Sequence, residues 1–207
     1  MLIVSASARK AAAILALIAW TGLVLQVAGV LPRSASLIWA VWTMLRFFTI
    51  TTNLLLAVVM TGIALGRPAF GSPRLLGGVT LALVFVGVVN VTLLHGWLNL
   101  GRSDLIADLL LHYVTPVAML AFWLLLRPRG ALQYRDPVLW SLYPLAYAVY
   151  AIARGAVDGV YPYPFLDIAQ IGAGRTGVNL GLLWLSFVLV GALMVWLNRR
   201  GTPLLRP

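Results

Sequence analysis

The sequence predicts an all-α polytopic membrane protein, a single domain over residues 1–207 built as a bundle of six transmembrane helices. Three observations carry this. Of the 207 residues, 62% are hydrophobic and only 10% charged, with a mean hydropathy of +0.98, far more apolar than the core of a soluble domain of this size requires. Apolar runs of about 20 residues, enough for a helix to cross roughly 30 Å of hydrocarbon, recur along the chain with short polar breaks. The runs are continuous, whereas the strands of a membrane barrel would be short and alternate in polarity.

Spans are expected at about 10–30, 44–65, 75–96, 106–126, 137–154 and 176–198. The even number puts both termini on one side. If that side is the cytoplasm, Arg9, Lys10, Arg67, Arg74, Arg127, Arg129, Arg135, Arg199, Arg200 and Arg206 lie inside, and Arg33, Arg46, Arg102, Arg154 and Arg175 lie outside. Ten basic residues against five is the bias of the positive-inside rule. The same distribution argues against a nucleic-acid partner despite a net charge of +10, because the charge is divided among loops on two sides of a membrane. Zero cysteine excludes disulfides and thiolate metal sites.

The first run, "AAAILALIAWTGLVLQVAG" after Arg9 and Lys10, has the look of a secretory signal, but its apolar stretch exceeds a usual signal core and it is expected to be retained. The second enters from outside as "LRFFTITTNLLLA". Thr49 and Asn53, four apart, share one helical face, with Arg46 about a turn above, while Thr51 and Thr52 point elsewhere. Back-bonded hydroxyls and an interhelical Asn53 would account for these groups structurally. The third run carries Asn90 and ends outside at His95 and Trp97, which suit interhelical glue and an interfacial belt.

The fourth run places Asp104, Asp108 and His112 at intervals of four along one stripe. A carboxylate one turn above an imidazole can orient it and stabilise its protonated form. Pro116 cannot donate to the carbonyl four residues back, that of His112, so the helix should open beside the histidine. His112 and Thr49 are expected about level, one to two turns below the outer surface. The fifth run has Tyr143, Tyr147, Tyr150 and Arg154 on one stripe. "GVYPYPFLDIAQIGAG" then excludes a continued helix and suggests a loop on the outer mouth, where Asp158 and Asp167 can pair with Arg154 or Arg175. Tyr147, Arg154, Tyr161 and Asp167 are candidates for a lid or substrate lining. The sixth run closes on Arg199 and Arg200.

Six spans, "FFTITTN", "LLHYVTP" and "RGAVDGVYPYPFLD" together resemble the androgen-induced-protein-like membrane family, particularly its bacterial six-helix relatives. Animal members cleave branched fatty-acid esters of hydroxy fatty acids with an intramembrane threonine and histidine. The resemblance implies a bacterial cytoplasmic-membrane location and a fatty-acyl ester substrate drawn from membrane lipids. It also implies Thr49 as nucleophile and His112 as general base, with no cofactor or metal. A one-residue shift against the family pattern would nominate Thr51 or Thr52. Asp108 would orient the imidazole, and Asn53 and Arg46 are candidate oxyanion donors. Two other classes stay open: a haem or electron-transfer protein ligated by His95 and His112, and a small-molecule transporter.

Overall fold

A computed structural model describes residues 5–94, 102–126 and 130–200, without the side chains of 102–104, and the described residues are helices joined by turns with no strand among them. The α-helices are α1 (Ala6–Val30), α2 (Leu37–Met44), α3 (Phe48–Ala64), α4 (Pro73–Val89), α5 (Arg102–Leu109), α6 (Thr115–Leu126), α7 (Asp136–Asp158) and α8 (Ile168–Arg200). Four segments are long and apolar enough to cross a membrane: Ala6–Arg33, Pro73–Leu94, Leu105–Leu126 and Ile168–Arg200. The pair α2 and α3 makes a fifth if its two arms are taken as one span.

These bounds revise the expected spans at several points. Residue 44, the expected start of the second span, is the last residue of α2, which meets α3 at a bend of 102° around Leu45–Phe47. α2 leaves Ile38, Trp39 and Trp42 exposed, and only α3 continues into the bundle. The expected fifth span is a continuous helix, α7, yet it is not among the sufficiently apolar ones. Three tyrosines, Pro137 and Pro144 dilute it. Two of those tyrosines, Tyr143 and Tyr147, turn toward protein partners on the α2–α3 segment. The loop after α7 is shorter than expected, since α8 already starts at Ile168 and only breaks its helical geometry at Gly172, whose φ of 80° a side chain would resist.

α3 lies at the centre of the packing. Its inner two-thirds contributes Leu56, Val59, Met60 and Ile63 to a large core with Ala12, Ala16 and Ala19 of α1, Leu81 of α4 and Met119 and Phe122 of α6. Small residues on α1 let the two helices lie close. Packing of this kind, rather than the hydrophobic effect, holds helices together in lipid. α1 is further tied to α3 by Trp20 Nε1 donating to Thr61 Oγ1 at 3.2 Å and Arg9 Nε donating to the Ala64 carbonyl at 3.1 Å. At the other end of α3, Phe48 joins a second cluster with Val86, Tyr147, Ala151, Tyr163 and Leu166.

The helix around Pro116 does open. Residues Leu110–Val114 form a π-helical turn between α5 and α6, so the main-chain bonding widens where the proline removes a donor. α4 packs onto this turn at Gly87, where an added Cβ would stand 3.3 Å from the His112 carbonyl oxygen and 3.3 Å from Pro116 Cβ. A second π-turn, Asn90–Leu94, extends α4.

Candidate active site at the head of α3

Thr49 is the second residue of α3 and almost completely buried. Its Oγ1 lies 3.0 Å from His112 Nε2, and His112 Nδ1 lies 2.8 Å from Asp108 Oδ1. A hydroxyl, an imidazole and a carboxylate thus form a chain across two helices. The carboxylate approaches Nδ1 at ion-pair distance but off the direction of the ring N–H, so this second link is electrostatic rather than a well-aligned hydrogen bond. The His112 and Asp108 side chains are 16% and 21% exposed, partly screened from surroundings without being sealed. In the tautomer with its proton on Nδ1, the nitrogen nearer Asp108, Nε2 is free to accept from the Thr49 hydroxyl.

The three threonines separate cleanly. Thr51 Oγ1 donates to the Phe48 carbonyl at 3.0 Å and accepts from the Tyr143 hydroxyl at 3.1 Å, and Thr52 Oγ1 is also 3.1 Å from that hydroxyl. Thr49 alone of the three is within hydrogen-bond distance of His112. The side chain of Asp104 lies outside the described residues, as does the whole of His95.

Asn53 and Arg46, the expected oxyanion donors, are both engaged by protein partners. Asn53, fully buried, donates through Nδ2 to the Thr49 carbonyl at 2.9 Å and the Leu111 carbonyl at 3.1 Å, and accepts from Thr115 Oγ1 at 2.6 Å. It is a strap between α3 and the π-turn, holding the carbonyl just before His112. Arg46 sits in the bend and reaches outward, donating Nη1 to the Val160 carbonyl at 2.8 Å and Nη2 to Asp158 Oδ2 at 2.7 Å.

The expected lid residues are placed as follows. Arg154 donates to the Tyr150 hydroxyl at 2.8 Å, pairs with Asp158 at 3.4 Å and stacks over Trp42 at 4.0 Å. Tyr147 donates to the Arg46 carbonyl at 2.6 Å. Tyr161 packs flat against α7 at Gly155, where a Cβ would stand 2.5 Å from its ring. Asp167 pairs with neither Arg154 nor Arg175; its Oδ1 accepts from the Gln170 amide at 2.9 Å and caps the start of α8. Asp158 is shared by Arg46 and Arg154 instead. Partial desolvation acts to raise the Asp158 carboxyl, but the Val160 amide and the two guanidiniums outweigh it and hold the group below its ordinary value.

Two features escaped the sequence reading. Tyr163, between two prolines of the loop joining α7 to α8, inserts into the bundle and accepts a hydrogen bond from the Phe48 amide at 3.0 Å, capping a helix whose own N-cap, Phe47, supplies no side-chain bond. Burial pushes its phenol up, and the Phe48 amide opposes this, as do the hydroxyl and amide of Thr49. Tyr163 therefore stays a neutral hydroxyl beside Thr49. Nothing in "YPYPF" distinguishes it from Tyr161, which stays on the surface of α7. The other feature is an apolar slot beside Thr49 between α4, α7 and α8, partly open to the surroundings.

Among the described residues no group of three or more histidine, aspartate or glutamate side chains gathers as a metal site. Set against protein-family models, curated proteins and solved structures, the chain matches none.

Proposed function

We propose that this chain is an intramembrane lipid-ester hydrolase with Thr49 as nucleophile and His112 as general base. The observation that carries the reading is the 3.0 Å contact from Thr49 Oγ1 to His112 Nε2, backed by Asp108 at Nδ1. A threonine hydroxyl is a weak nucleophile until a base takes its proton, and a histidine at this distance is the usual base. Thr49 Oγ1 attacks the ester carbonyl carbon as its proton passes to Nε2. The tetrahedral oxyanion collapses by breaking the bond to the alkoxy oxygen, which leaves as the alcohol with that proton. Water then attacks the Thr49 acyl ester as its proton passes to His112, the bond to Thr49 Oγ1 breaks to release the acid, and His112 returns the proton to Oγ1.

Asp108 favours the imidazolium electrostatically at each step. One donor suits the oxyanion better than Asn53 or Arg46: the Tyr163 hydroxyl, which already accepts from Phe48 and retains its own proton to donate. The positive end of α3 adds to it.

The membrane arrangement belongs to the same proposal. α7 serves as a further span, its tyrosines facing α3, giving six with both termini in the cytoplasm of a bacterial cell. α2, with Trp39 and Trp42, lies along the outer interface. The substrate is a fatty-acyl ester entering from the outer leaflet, as the resemblance to the androgen-induced-protein-like family implies.

The test is reaction with a fluorophosphonate probe and with p-nitrophenyl acyl esters. Wild-type protein labels on Thr49 and turns over the esters; Thr49→Ala and His112→Ala do neither. Labelling that persists in Thr49→Ala would remove Thr49 as the nucleophile.

A further inference from the structure

We infer that the slot between α4, α7 and α8 holds the acyl chain of the ester with its carbonyl at Thr49, and that Phe85 and Phe187 set the longest chain accepted. The inference rests on the hydrolase reading for the carbonyl's position. The slot itself rests on packing.

Its head is formed by Phe48, Thr49, Tyr147 and Tyr163, the residues around the nucleophile. Below them the walls are aliphatic or aromatic: Val86 and Val89 on α4, Leu145 and Ala148 on α7, Leu180 and Leu183 on α8. Such a lining has nothing to offer a polar group and suits a hydrocarbon chain. Leu145 and Trp184, each 38% exposed, stand on the rim, whereas Phe187 is 1% exposed. The chain can thus enter sideways from lipid and still meet a closed end.

That end has a structural cause. Phe85 and Phe187 meet edge to face, with ring centroids 5.4 Å apart. One turn further along α8, Gly191 brings the helix so close to α7 and α4 that an added Cβ would stand 2.8 Å from Pro137 Cβ and 2.9 Å from Leu81 Cδ2. The three helices converge there and diverge above. From Leu180 to Phe187 the slot follows about 10 Å of α8 at the rise of an α-helix. Trp184 Nε1, donating to Ser141 Oγ at 3.0 Å, fixes α8 against α7 along this length.

The experiment measures p-nitrophenyl esters from butyrate to palmitate on wild type, Phe187→Ala and Ala148→Phe. It also photo-cross-links a diazirine-bearing fatty acid to the inactive Thr49→Ala variant in nanodiscs. Wild type should show a length cut-off. Phe187→Ala should raise the long-to-short activity ratio about tenfold or more, the discrimination a few methylenes carry in an apolar pocket, and Ala148→Phe should lower it. Cross-links should fall on Phe85, Leu183 or Phe187. Cross-links spread over lipid-facing residues such as Ile14, Val117 and Val149 would overturn the slot. So would an unchanged length profile in both variants alongside Thr49-dependent turnover. Cross-links in the slot with no Thr49-dependent hydrolysis would uphold the chain site while removing the hydrolase.

Discussion

Two acid–base pairs of the same sequence spacing flank the head of α3, and they behave as opposites. Asp108 and His112 are four apart, as are Arg154 and Asp158, and each pair is within ion-pair distance. Around Arg154 and Asp158 most groups have partners: Tyr150, Arg46, the Val160 amide and the face of Trp42. The cluster is a fastening that ties the loop after α7 to the bend before α3. Asp108, in the last turn of α5, stands above His112 on the widened turn that follows, and the far nitrogen of that ring meets a hydroxyl. Spacing made both pairs; the third partner decides whether a pair holds or reacts.

The largest break in this contrast comes from removing the titratable ring. His112→Gln keeps a polar partner for Thr49 but no base, so kcat should fall by about 10³-fold or more while the thermal midpoint moves little. A loss under tenfold would show that the ring is structural, like its counterpart across α3.

Next in size is the carboxylate. In a triad with an aligned acid, the amide replacement costs about 10⁴-fold. Here the approach to Nδ1 is off-axis and the carboxylate is partly exposed, so Asp108→Asn should cost roughly 10- to 100-fold in kcat with KM unchanged. Asp158→Asn, the matching change in the other pair, should leave kcat within about twofold. Equal losses from the two would erase the distinction between them.

Asn53→Ala tests the strap that keeps α3 on the π-turn. It removes the bonds that join α3 to the Leu111 carbonyl and the Thr115 hydroxyl, but those two groups still have each other at 3.2 Å, so the change should cost about 1 kcal/mol. Activity should fall with stability, as His112 loses its fixed distance from Thr49. Lost activity at full stability would instead make Asn53 a participant in the chemistry.

The stripe of Asp108 and His112 and the shared face of Thr49 and Asn53 were legible because helical periodicity alone puts such residues on one side. The opening of the helix at Pro116 followed from a missing donor. The sequence could not show that Asn53 is consumed in bonds to α3 and the π-turn, which depends on how those two elements pack, nor that Arg46 turns toward Asp158, which depends on the 102° bend, to which no proline or glycine points. Tyr163 was hidden for a related reason. Its role is set by how a loop more than 100 residues away folds back onto the Phe48 amide, and local patterning carries no record of that.

The smallest expected effect is the acid sensitivity of the loop fastening, and its sign separates the two pairs. Asp158 is held below its ordinary value of 3.8, so its contribution is fully present above that value and is lost as pH falls through the lower folded one. Protection of the Val160 amide against hydrogen exchange, corrected for the intrinsic rate, should therefore be flat from neutral pH down to about 4 and decline only below it. Asp158→Asn should remove the decline. Losing the carboxylate's charge removes the partner that Arg46 and Arg154 share, so the loop should loosen rather than merely lose one bond. A decline between pH 7 and 5 instead would mean that the loop responds to a histidine, joining the fastening to the reactive pair that it otherwise only borders.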